Sequence, residues 1–136
     1  MKKLKIIASI LITGALFTAC KEEITECDIG GAICTKELRV VSVEIKDRNN
    51  EPVFLDSISV TTSGSSNVLF TENPTNTNGI YKLISDTEIN DIVKEGTDVT
   101  FYGYSNALQI VSENYKVGHD CCHVVYINGT QVVILK

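Results

Sequence analysis

Residues 122–135 read Cys-His-Val-Val-Tyr-Ile-Asn-Gly-Thr-Gln-Val-Val-Ile-Leu, two apolar runs set either side of Asn128-Gly129. Val, Ile and Tyr fit a pleated, half-buried surface better than a helix. Asn-Gly is the favoured centre of a two-residue type I′ hairpin, because both central positions need positive φ. The segment therefore predicts a hairpin of 122–127 and 130–135. Its strands are apolar on both faces, which predicts a central, covered position.

Upstream the same rhythm recurs. Val41, Val43 and Ile45 alternate with Ser42, Glu44 and Lys46, the period of a half-buried strand. The cluster at 47–52 is a turn. Phe54, Ile58 and Val60 against Ser57, Ser59 and Thr61 form a second strand, and 68–71 a short third. An Asn- and Gly-rich loop at 73–79 tolerates positive φ, and 80–84 restarts a strand. Residues 85–95 break the alternation. Ser85 or Asp86 can cap a short helix there, with Ile89, Ile92 and Val93 sharing a face and Gly96 stopping it. Val99, Phe101 and Gly103 then alternate with Thr100, Tyr102 and Tyr104, and Leu108 and Ile110 carry a further strand to about Glu113. Seven to eight short strands, one short helix and turn signals between them predict an all-β sandwich.

The N-terminus has three parts: a short basic start with Lys2, Lys3 and Lys5, a twelve-residue apolar run at 6–17, and small residues leading to Cys20. The run falls short of the ~20 residues that span a hydrocarbon core, so it reads as a secretory signal peptide, residues 1–19. Leu16-Phe17-Thr18-Ala19-Cys20 resembles a bacterial lipobox, which implies acylation of Cys20 and a membrane held through N-terminal acyl chains. Lys21-Glu22-Glu23 resembles the export signal of Bacteroidota-type surface lipoproteins. The expected location is the outer membrane, facing the extracellular side. Residues 20–34 would then be a lipidated, cysteine-containing tether and 35–136 the sandwich.

The chain has 136 residues, 43% hydrophobic and 21% charged, with net charge −5. These are globular values, with room for one domain. Without the basic leader the charge becomes −8, and an acidic surface repels phosphate backbones, so no nucleic-acid partner is expected.

Setting Cys20 aside leaves Cys27, Cys34, Cys121 and Cys122, an even number that reads as two disulfides in an exported chain. Joining Cys121 to its neighbour Cys122 closes a strained small ring. The crosswise pairings are therefore favoured, with Cys27 to Cys121 and Cys34 to Cys122 slightly ahead. Neighbours on a strand point to opposite faces, so a bulge or strand end must lie at 121–122. The competing reading is a metal site from His119, Cys121, Cys122 and His123, but the spacing lacks the C-x2-C separation of structural zinc sites, and exported thiols tend to oxidise.

Val43-Glu44-Ile45-Lys46-Asp47, Glu51-Pro52-Val53, Ile58-Ser59-Val60 and Thr77-Asn78-Gly79-Ile80-Tyr81-Lys82-Leu83 together resemble the carboxypeptidase regulatory-like domain. Asn50 stands where that pattern has Gly, a residue that also tolerates the left-handed region. The resemblance implies a transthyretin-like, immunoglobulin-like sandwich that is a non-catalytic, adhesive or carbohydrate-associated module.

Nothing in the chain carries a G-x-S-x-G, an H-E-x-x-H or a phosphate-cradling loop, so neither an enzyme nor a cofactor is expected. A Cys–His nucleophile at 119–123 has no thiol once the cysteines are paired. Asp56-Ser57-Ile58 resembles an O-glycosylation acceptor with Ser57 as the site, and Tyr102 and Tyr104 share a strand face that can stack on sugars or anchor a protein. The functional expectation is a binding module for a glycan or protein, with an envelope metal-binding protein or a structural spacer as alternatives.

Overall fold

A computed structural model describes Cys27 and residues 34–65, 67–75 and 78–136. The leader, Cys20, Lys21-Glu22-Glu23, residues 28–33 and Thr77 lie outside the described residues. The described chain forms β1 (Val40–Lys46), β2 (Ser57–Thr62), β3 (Val68–Glu72), β4 (Ile80–Ser85), a 3-10 helix (Asp86–Asp91), β5 (Thr97–Ser105), β6 (Leu108–His119), β7 (Val124–Asn128) and β8 (Val132–Ile134). They make two sheets, one ordered β4-β1-β8 and one ordered β3-β2-β5-β6-β7. The fold is an all-β sandwich.

The alternations at β1, β2 and β5 place one face of each strand inside. Val43 and Ile45, Ile58 and Val60, and Val99 and Phe101 are buried, and Tyr81, Leu83, Val111, Tyr115, Val117, Val124 and Val133 close the core with them. The Tyr81 hydroxyl, the one polar group on that buried ring, donates to Val53 O at 2.7 Å and accepts Leu55 N–H at 2.8 Å, so its burial leaves no unsatisfied group. The turn after β1 holds Asn50 at φ 66°, the left-handed conformation that Asn tolerates.

The Asn128-Gly129 hairpin is not formed. β7 pairs antiparallel with β6, and β8 pairs parallel with β1 in the other sheet. Asn128 is not among the residues at positive φ, whereas a type I′ turn needs positive φ at both central positions. Here Gly129, at φ 139°, lets the chain cross between sheets under Tyr115, whose ring lies 2.3 Å from where a Cβ would stand. Beyond it Gln131 O accepts Glu44 N–H at 2.8 Å and Leu135 N–H donates to Lys46 O at 2.8 Å, so the last strand satisfies the open edge of β1 instead. Both strands are sheet edges, not covered centres, and Ile127, Val132 and Ile134 are exposed. The positive-φ pair is Asn106 and Ala107, at 50° and 63°, between the paired residues Ser105 and Leu108 of β5 and β6.

Two further expectations shift. β6 runs on from Glu113 to His119, carrying the alternation through Tyr115 and Val117. The helix is a 3-10 turn ending at Asp91, before Gly96. Ile92 is its extended C-cap and is buried, while Val93 beyond it is exposed, so the shared face of Ile89, Ile92 and Val93 is not realised. Glu88 anchors the turn by accepting Ser85 N–H at 2.9 Å and the Ser85 hydroxyl at 2.8 Å.

Candidate functional site at the disulfide-stapled end

β6 and β7 are joined by the four residues Asp120, Cys121, Cys122 and His123, between the paired residues His119 and Val124. The Asp120 carboxylate accepts Cys122 N–H at 3.0 Å and His123 N–H at 2.7 Å, and Asp120 N–H donates to His123 O at 3.0 Å. This Asx turn holds Cys121 at φ 76°. Its reversal sends neighbouring cysteines to separate partners. Cys121 is bonded to Cys27 and Cys122 to Cys34, with Cα–Cα distances of 5.3 and 5.2 Å, inside the range an unstrained bridge needs. The slightly favoured crosswise pairing is the one formed, and the strand end required at 121–122 is there. The backbone hydrogen bonds from His123 and Cys122 hold the Asp120 carboxyl below its usual range.

Beside the loop, Asp86 gathers three segments. Its carboxylate accepts Arg39 N–H at 2.7 Å, Val124 N–H at 2.7 Å and His123 Nδ1–H at 2.8 Å, while Asp86 N–H donates to Arg39 O at 3.1 Å. Burial pushes this carboxyl up, but the hydrogen bonds from Arg39, His123 and Val124 outweigh it and hold the pKa below the ordinary value. His123 is only 8% exposed. With Nδ1–H directed at Asp86, Nε2 accepts the Thr35 hydroxyl at 2.8 Å. The chain Asp86, His123, Thr35 has the order of a hydrolase relay. What it does in this fold is fasten residues 35–39, the start of the 3-10 helix and the start of β7 to one another. A cavity of about 280 Å³ lies beside it, lined by Thr35, Glu37, Leu38, Arg39, Val40 and His123.

The four residues weighed as a metal set do not converge. His123 is committed to Asp86 and Thr35, and Cys122 to Cys34. His119 and Cys121 do come together, with Cys27 as the third member, and the three donor atoms lie within 4.8 Å of one another. Sequence reasoning named the histidines but missed the partner of His123, because Asp86 lies 37 residues away and no local pattern links them.

The other sequence-marked residues lie elsewhere. Tyr102 and Tyr104 are half-buried on the outward face of the five-stranded sheet, opposite Ser59 and Ser57 of β2. Ser57 opens β2 and is half-buried, and the neighbouring Asp56 carboxylate accepts Asn106 N–H. A second cavity, about 400 Å³, opens on the same sheet between Ser63, Asp98, Asn114, Lys116 and Asn128. At the opposite end from the disulfides, the Asn106-Ala107 turn is flanked by exposed apolar residues: Leu108 at 69%, Phe54 at 56% and Ile110 at 38% exposure. Ile110 is the extra residue of the bulge opposite Gly103 and Tyr104.

No family model, curated protein or solved structure matches this chain.

Proposed function

We propose that this chain is an outer-membrane, surface-exposed lipoprotein whose sandwich is a non-catalytic binding module for a glycan or protein. The reading rests on the lipobox-like Cys20, on Lys21-Glu22-Glu23 and on the resemblance of 37–84 to the carboxypeptidase regulatory-like domain, with the immunoglobulin-like character that resemblance implies. One structural observation supports it most. Both bridges fasten the segment that follows Cys20 to a single end of the sandwich, at the β6–β7 loop. β6 has twelve residues, so the β5–β6 turn stands roughly 35 Å away at about 3.3 Å per residue. On this reading the stapled end lies nearest the membrane, and the far end presents Phe54, Leu108 and Ile110. Exposed apolar clusters rimmed by polar residues mark interaction surfaces.

Protease treatment of intact cells tests the address, with removal of the domain expected and its survival among digested surface proteins contradicting it. Crosslinking capture and a glycan array test the module. The expected result is a partner recovered by the wild type and lost by a Phe54→Ser, Leu108→Ser variant. Capture unaffected by that variant would place the binding surface elsewhere.

A further inference from the structure

We propose that reductive opening of the Cys27–Cys121 bridge converts the stapled end into a binding site for zinc or a similarly borderline-to-soft cation. The ligands are Cys27 Sγ, Cys121 Sγ and His119 Nδ1. The inference is independent of the binding-module reading and concerns the opposite end of the molecule.

Three observations carry it. First, the ligand spacing is nearly in place. Zinc bound tetrahedrally by sulfur at ~2.3 Å and nitrogen at ~2.0 Å sets its ligand atoms about 3.6 Å apart. Cys27 Sγ stands 3.9 Å from His119 Nδ1 with the bridge closed, and all three donors fall within 4.8 Å. The two sulfurs must separate from bonding distance to the edge of the same tetrahedron, and the imidazole must draw in to both by no more than about 1.2 Å. Second, the imidazole has the right tautomer. His119 Nδ1 accepts Cys121 N–H at 3.1 Å, so in the neutral ring the proton is on Nε2 and Nδ1 is the unprotonated nitrogen beside the bridge, its lone pair passing from that N–H to the metal on ligation. Third, Cys27, His119 and Cys121 are each half-buried. A reductant and an ion can reach them.

The chemistry closes on a dithiol reductant. Its thiolate attacks one bridge sulfur, the S–S bond breaks, and its second thiol resolves the mixed disulfide. The reductant leaves as a cyclic disulfide, and Cys27 and Cys121 remain as thiols. Zinc then takes both sulfurs as thiolates and releases two protons. The metal restores the crosslink that the reductant removed, so the N-terminal segment stays fastened in either state.

The test uses the full mature chain, oxidised or reduced by a dithiol that is then removed, and titrated with Zn²⁺ against a colorimetric chelator. The oxidised protein is expected to bind none and the reduced protein one equivalent. His119→Ala, which keeps all four cysteines, should weaken binding about a hundredfold, and Cys27→Ser, Cys121→Ser should abolish it. In the reduced wild type, zinc should shield Cys27 and Cys121 from alkylation while Cys34 and Cys122 react. No zinc bound by the reduced chain overturns the proposal. So does equal affinity in His119→Ala, or shielding of Cys34 and Cys122 instead.

Discussion

The two ends of the five-stranded sheet are built by different means. At the β6–β7 end, two disulfides, the Asx turn of Asp120 and the Asp86 carboxylate tie together segments distant in sequence. At the β5–β6 end, a two-residue turn and one side-chain contact from Asp56 suffice, and apolar side chains stand in water. The end that is fastened most heavily is the one nearest the N-terminal segment, where any pull on an anchor would be felt. The end held most lightly shows Phe54, Leu108 and Ile110, while Leu38 and Val40 are exposed beside the fastened end. Fastening, not apolar exposure, is what differs along the strand axis.

That contrast can be broken, beginning with the largest effect. The bridges close loops of 94 and 88 residues, but once one has formed, the other closes only a small ring through 27–34 and 121–122. Loop-closure entropy then contributes about 7 kcal/mol for both bridges and only about 3 for whichever is second. Removing either bridge alone should therefore cost about 3 kcal/mol, nearly the same for each, and removing both about 7. Denaturant unfolding of the paired Cys→Ser variants checks this. A single removal that costs as much as the double would show that the bridges are not redundant in this way.

A smaller effect separates the polar fastening from the covalent one. Asp86→Ala leaves a buried imidazole and two backbone N–H groups without their acceptor, a loss of about 3 kcal/mol. The Asp86 carboxyl is held below its ordinary value when folded. Its contribution is therefore complete above the unfolded value, about pH 4, and fades as pH falls through the lower folded value. Glu88 and Asp120 shift in the same direction. Thermal melts should show wild-type Tm declining below about pH 4, with Asp86→Asn less stable at neutral pH and flatter across the acid range. A parallel acid decline in both proteins would remove Asp86 from the account.

The smallest effect belongs to the distal end. Phe54→Ser, Leu108→Ser and Ile110→Ser should each change stability by no more than about 0.5 kcal/mol, as surface substitutions do, while reducing partner capture. A substantial loss of Tm in any of them would mean that the residue is packed rather than presented.

Strands β1 to β5 were legible because alternation is a local signal: Val43 and Ile45, or Val99 and Phe101, announce their inward face within a few residues. Strand partnership was not. Asn128-Gly129 has the composition of a hairpin turn, yet β8 gains more by satisfying the open edge of β1, a choice that depends on residues nearly ninety positions upstream. The true positive-φ turn uses Ala107, a residue with no turn signature, because the long β5–β6 pairing imposes the conformation on it. The cysteine pairing was narrowed by ring strain between neighbours and is realised through the left-handed Cys121. His119 and His123 stood together in the sequence as one candidate site. The reversal at Cys121 separates their roles, one against the bridge and one against Asp86.

The central claim is that the segment behind Cys20 is bolted to the β6–β7 loop, and tryptic mapping of the native, unreduced protein tests it most directly. Cleavage at Lys21, Lys36 and Lys116 places Cys27 and Cys34 in one peptide and Cys121 and Cys122 in another. The account predicts that these two peptides remain covalently joined until a reductant is added, with no thiol open to alkylation. Two peptides that separate without reduction would contradict it.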